Sequence, residues 1–162
     1  MTFVRQLGVL LLFVCVGCSA AQLDPQRVKN DLQNQPAETV IKSLKRQNKY
    51  QQVLKRIAEG QAEWVALAPA LYMGTDAGDS DDLEIALATA LPKNAVAVLS
   101  DLNPSKADGA SSLRIDHVCG VPFIEPTDAF VKAYLLQSTK AVKAVKDEKL
   151  LPVARQCLSY LK

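Results

Sequence analysis

Apolar residues in this chain recur three and four positions apart far more often than two apart, so the pattern is that of helices. Tyr50, Val53, Leu54, Ile57 and Ala58 follow the i, i+3, i+4, i+7, i+8 rule of an amphipathic helix, and Gly60 stands where such a helix stops. Ahead of it, Val40, Ile41 and Leu44 follow Pro36 and Glu38, a helix start, and Val28 with Leu32 marks a shorter turn or two. Glu63 to Met73 carries Trp64, Leu67, Leu71 and Tyr72, with Pro69 as a kink or break and Gly74 as the end. Leu83, Leu87, Ala90 and Leu91 form the next stripe, closed by Pro92. Val96, Leu99 and Leu102 form another, closed by Asn103 and Pro104.

Residues 103–112 hold Asn-Pro, Asp-Gly and three serines and are expected to form a surface loop. In Ile115 to Ile124, β-branched residues alternate with breakers such as Gly120 and Pro122, which predicts a short extended segment over 115–124, pinned at Cys119. Thr127 is a fair N-cap for a long helix that turns Phe130, Val131, Tyr134, Leu135, Val142 and Val145 inward. A last helix starts near Asp147 and carries Leu150, Leu151, Ala154, Cys157, Leu158 and Leu161. The linkers are short, so sequence neighbours should pack as antiparallel hairpins. The expectation is an all-α fold of about six or seven helices with one disulfide.

Two stretches, Asp79 to Leu91 and Asp147 to Leu161, share an Asp start, an apolar residue at Leu83 or Leu151 and an Ala three later at Ala86 or Ala154. Each is similar to one helix of a HEAT-type hairpin. Two copies fall below the three or so that a solenoid needs, so the similarity bears on packing and not on family.

The N-terminus departs from all this. Arg5 precedes Leu7 to Val16, ten residues with nothing polar, and small residues follow at Gly17, Ser19, Ala20 and Ala21. Such a run is shorter than the roughly 20 residues a permanent span needs, and it has the layout of an export signal over residues 1–20, leaving a single domain over 21–162. Two processing routes compete. Val16-Gly17-Cys18-Ser19 resembles the end of a bacterial lipobox, in which Cys18 would be lipidated and begin the mature chain, although Cys15 stands where that signal usually has Leu. The other route is ordinary cleavage after Ala20 or Ala21. A lipidated chain, with Ser19 and not Asp behind the lipid, would go to the outer membrane; otherwise the product is periplasmic.

Either route disposes of Cys15 and Cys18, so Cys119 and Cys157 are the two thiols left. In an oxidising compartment such a pair is expected to bridge, which stabilises a fold by about 3 to 4 kcal/mol in the chain-entropy model. The bare alternative is two buried thiols that never meet. Removing the signal takes one of 19 basic residues, leaving 18 against 17 acidic, so nothing in the charge calls for nucleic acid or an anionic surface.

Candidate chemistry is sparse. Five carboxylates crowd Thr75 to Glu84, but their spacing does not fit a calcium loop. Asp76, Asp79, Asp81 and Asp82 are weak metal candidates, and the simpler role is that Asp79, Ser80 or Asp81 caps the following helix. His117 is the only histidine, which excludes multi-histidine zinc sites. Its neighbours Asp116 and Cys119 suggest a Cys-His nucleophile, but a third, orienting group is not visible. No Gly-x-Ser-x-Gly and no glycine-rich phosphate loop occurs. Six basic residues and no acid lie between Lys42 and Arg56. Lys45, Arg46 and Lys49, with Trp64 as an aromatic anchor, are the candidate partner-binding residues, against the plainer role of solvated helix face and core.

These observations point to an exported bacterial protein without cofactor or catalytic role, acting as an interaction module on another envelope protein and meeting the membrane only through a lipid on Cys18. One alternative is a stoichiometric inhibitor resembling the small exported immunity proteins that neutralise periplasmic toxins. The other is an enzyme using the carboxylates of Asp76 to Glu84, with or without metal.

Overall fold

The computed structural model describes residues 23–102 and 113–162, so the export signal expected at 1–20, Cys18 and the loop expected at 103–112 lie outside the described residues. Within them, 69% of residues are helical and no strand occurs. The elements are α1 (Pro25–Asn34), α2 (Ala37–Arg46), α3 (Tyr50–Ala58), α4 (Ala62–Val65), α5 (Ala68–Tyr72), α6 (Ala77–Ala90), α7 (Ala95–Leu102), α8 (Ile115–Val118), α9 (Asp128–Lys143) and α10 (Leu151–Tyr160). No helix among the described residues is long and apolar enough to cross a membrane.

The periodic stripes become the inward faces they predict. Val40, Ile41 and Leu44 of α2 and Tyr50, Val53, Leu54 and Ile57 of α3 are all buried. Asn48 turns the chain between these two helices in the left-handed region (φ 55°), which Asn tolerates better than most residues. Gly60 (φ 77°) ends α3, and the orphan carbonyls there are met from the next hairpin: Lys93 donates to the Ala58 carbonyl at 2.6 Å and Asn94 to that of Gly60 at 2.9 Å. Consecutive helices pair as hairpins, α1 with α2, α2 with α3, α6 with α7 and α9 with α10.

At the centre lies α6, whose most extensive pairing is with α3. It is covered almost all round: Leu83, Glu84, Leu87, Ala88 and Ala90 are fully buried, and Ala86 nearly so. Each fully buried leucine here contributes about 1.5–3 kcal/mol by leaving water. Gly74 explains how the chain reaches α6 past the start of α2. A Cβ at this position would stand 2.2 Å from the Glu38 backbone nitrogen and 2.3 Å from the Ala37 carbonyl carbon, so only glycine fits.

Three expectations need correction. Residues 115–124 are not extended throughout: Ile115 to Val118 close one helical turn, with the Cys119 N–H on the Ile115 carbonyl at 2.9 Å. The β-branched residues find no neighbouring strand, and the turn is what carries Val118 and Cys119 into the core. The expected count of about six or seven helices holds loosely: the described residues form ten helical segments, among them the short α4, α5 and α8. Pro69 marks the break expected in this stretch, opening α5 in its first turn, where it lacks no hydrogen bond. The last helix starts at Leu151; Asp147 caps the turn before it, accepting from the Lys149 N–H at 3.0 Å. Finally, Val96 (49% exposed) and Phe130 (48%) point outward, their places in the core being taken by Val98 and Tyr134.

The expected disulfide is formed. Cys119 and Cys157 are bridged, both fully buried, with Cα atoms 5.2 Å apart, tying α8 to α10.

Candidate functional site

Among the described residues, charged groups that are far apart in sequence meet on α6 at two places. Asp76 caps this helix by accepting the Asp79 N–H at 2.9 Å, so the cap falls one turn ahead of the predicted Asp79, Ser80 or Asp81. That start places Asp79 in the first turn, nearly buried, where its carboxylate receives Lys45 of α2 at 2.5 and 2.7 Å. The Asp79 hydrogen bond holds the Lys45 ammonium above its usual range. Lys45 also lies 5.5 Å from the centre of the Tyr50 ring, whose phenol is raised mainly by burial and then by the charge of Asp79.

The second meeting is tighter. Asp81 and Glu84 are three apart on α6 and so share a face. Arg114, just before α8, forks onto Glu84, with Nη2 2.6 Å from Oε2 and Nε 3.1 Å from Oε1, while its backbone N–H donates to Oε1 at 3.2 Å. The same Nη2 reaches Asp81 at 3.1 Å. His117 closes the group with Nδ1 3.2 Å from Glu84 Oε2. Glu84 has no solvent exposure, whereas the Arg114 and His117 side chains are about 40% exposed and Asp81 63%. The Glu84 hydrogen bond, ahead of every other influence, holds the Arg114 guanidinium above its usual range. Tyr72 adjoins the cluster, its phenol raised first by burial and next by the charge of Glu84.

The sequence candidates are therefore redistributed. Asp76, Asp79, Asp81 and Asp82 do not gather around one point: Asp76 caps, Asp79 holds Lys45, Asp82 is exposed, and Asp81 joins the Arg114 cluster instead. The ligand atoms that do lie within 4.8 Å of one another are those of Asp81, Glu84 and His117. The orienting group that His117 lacks in sequence is Glu84, 33 positions upstream. The nucleophile is what is missing, because Cys119 is consumed in the disulfide. Neither Glu84 nor Arg114 carries a local motif; what marks Glu84 in sequence is its place one residue after Leu83 on a stripe otherwise wholly apolar.

The basic run from Lys42 to Arg56 does not form one face. It is divided between α2, the turn at 47–49 and α3, and Lys42 pairs with Glu38 at 2.6 Å while Arg56 meets Glu59 at 3.5 Å. Arg46 is exposed. Trp64, offered as an anchor for a partner, is only 4% exposed and belongs to the core.

An aromatic cluster lies elsewhere, in which Phe130, expected inward, is half exposed while Tyr134 is buried as expected. Phe123 stands edge-on to Phe130 and to Tyr134, each with ring centres 4.9 Å apart, and Phe130 and Tyr134 are stacked at 6.5 Å. Tyr134 fixes the group by donating to the Val118 carbonyl at 3.3 Å. Between these rings, Ala133 and Gln137 on one side and Thr89, Pro92 and Lys93 on the other lies a recess of about 240 Å³. Ile124, next to Phe123 and 84% exposed, is the most exposed large apolar side chain among the described residues. No known family model matches the chain, and no curated protein or solved structure matches it either.

Proposed function

We propose that this chain is an exported, non-enzymatic protein-interaction module of the bacterial cell envelope, and that its partner docks on the aromatic recess beside α9. The observation that carries the reading is that recess: Phe130 half exposed and Ile124 almost fully exposed beside a cavity large enough for one apolar side chain. Exposed aromatic side chains around a recess are the usual anchors of protein interfaces. The surroundings favour a partner whose apolar anchor is accompanied by acidic groups. The basic group at the recess is Lys93, which lines it. Support for a role other than catalysis comes from the paired state of the strongest charges, Lys45 with Asp79 and Arg114 with Glu84.

A capture experiment from envelope extract tests this. The tagged chain, a Phe130→Ala/Ile124→Ala form and a Lys42→Ala control are used in parallel, with Cys18→Ser full-length chain to reveal any need for a lipid. One protein should be retained by the wild type and the control and lost from the recess variant. Retention by all three would refute the docking site, and turnover of a bound small molecule would refute the non-enzymatic reading.

A further inference from the structure

We propose that Asp81, Glu84 and His117 form a binding site for one divalent transition cation of the zinc type, reached when Arg114 turns off the Glu84 carboxylate. Each of the three offers one ligand atom, and all lie within 4.8 Å of one another. The closest pair, His117 Nδ1 and Glu84 Oε2, is 3.2 Å apart. Two ligands each about 2.0–2.1 Å from a shared tetrahedral ion would stand roughly 3.3 Å apart, so this pair needs almost no adjustment. Two carboxylates with one imidazole are the donor set that zinc, manganese and ferrous ions accept, and the three exposures leave the site buried at Glu84 and open at Asp81.

The site already holds a positive group. Asp81 and Glu84 supply two negative charges, and the guanidinium of Arg114 cancels one; a divalent ion cancels both. The exchange is mechanically simple. Arg114 is 41% exposed, so its guanidinium can turn into water, while its backbone N–H stays on Oε1 at 3.2 Å and keeps the carboxylate in place. On the other side, His117 is carried by α8, whose next residue, Cys119, is fixed to α10 by the disulfide. The imidazole would bind through Nδ1, the atom that faces Glu84.

Titration of the full chain with Zn(II) alone tests the proposal. His117 being the only histidine, its ring resonances give one unambiguous signal, expected to shift and saturate at one ion per chain. By calorimetry, Arg114→Gln should bind at least tenfold tighter than wild type, His117→Ala at least tenfold weaker, and Asp82→Asn unchanged. If Arg114→Gln does not fold alone, rescue of its folding by Zn(II) supports the site equally, and the wild-type and His117→Ala comparison still decides. Failure of the His117 signal to respond, or equal affinity in His117→Ala, would overturn it.

Discussion

Arg114→Ala is the substitution whose cost the structure specifies most closely. It removes the fork at 2.6 and 3.1 Å from Glu84, a carboxylate with no solvent exposure, and leaves that carboxylate the Arg114 backbone N–H and the His117 ring. Breaking one side of a buried ion pair costs about 3–5 kcal/mol, mainly because the remaining charge stays desolvated. Arg114 is itself 41% exposed, so water can follow it toward Glu84, and the lower end, about 3 kcal/mol, is expected. The lost contact with Asp81, itself 63% exposed, adds under about 1 kcal/mol. In thermal unfolding, about 3 kcal/mol corresponds to a drop of roughly 6–12 °C for a domain of this size. Urea denaturation followed by far-UV circular dichroism gives the free energy directly. The decisive companion is Glu84→Leu/Arg114→Ala, which replaces the buried charge with an apolar side chain and should return to within about 1 kcal/mol of wild type. A single variant within 1 kcal/mol of wild type, or a double variant as unstable as the single, would refute the account of Glu84 as a buried charge held by Arg114.

Three further outcomes are expected. Replacing both Cys119 and Cys157 with Ala should cost about 4 kcal/mol for a bridge spanning 38 positions, read from the urea midpoint, and the buried bridge should resist thiol reductants until the chain unfolds. Gly74→Ala should lose at least about 2–3 kcal/mol, since its methyl would meet the Glu38 and Ala37 backbone and not a movable side chain; an unchanged melting temperature would contradict that contact. Burial pushes the Tyr134 phenol up to about 12, above its unfolded value near 10. The unfolded chain therefore releases this proton first, so stability is retained below pH 10 and falls between about pH 10 and 12, and an ultraviolet titration should show Tyr134 ionising late or only on unfolding.

How much of this was legible in the sequence depended on whether a residue's role is local. The stripes of α2, α3 and α6 were readable because helical period and burial coincide there. So was the disulfide, once Cys15 and Cys18 were set aside. The one-turn α8 was misread because β-branching at Ile115 and Val118 speaks for a strand only where a partner strand exists. The Glu84 cluster was invisible for another reason: Arg114 and His117 reach it across some thirty positions, and an acid following Leu83 on an apolar stripe signals a buried charge without naming its partner. Trp64 takes the plainer core role and not that of an anchor, while Phe130, expected inward, is half exposed. Size and aromaticity place a residue at the core or at an interface equally well, and only the neighbouring helices decide which.

The all-round burial of α6 has a consequence for how this chain can vary. Ala86, Ala88 and Ala90 sit where neighbouring helices press on the backbone, so enlarging any of them means moving a whole hairpin, and shrinking Leu83 or Leu87 opens a void that no surface residue can reach. Freedom to change is therefore concentrated on the outward side of α9, where Lys132, Leu136 and Lys140 are exposed. A lineage of such proteins could re-aim its α9 surface repeatedly while α6 stayed almost letter for letter the same. In a deep mutational scan, the two helices should separate as cleanly as two different proteins.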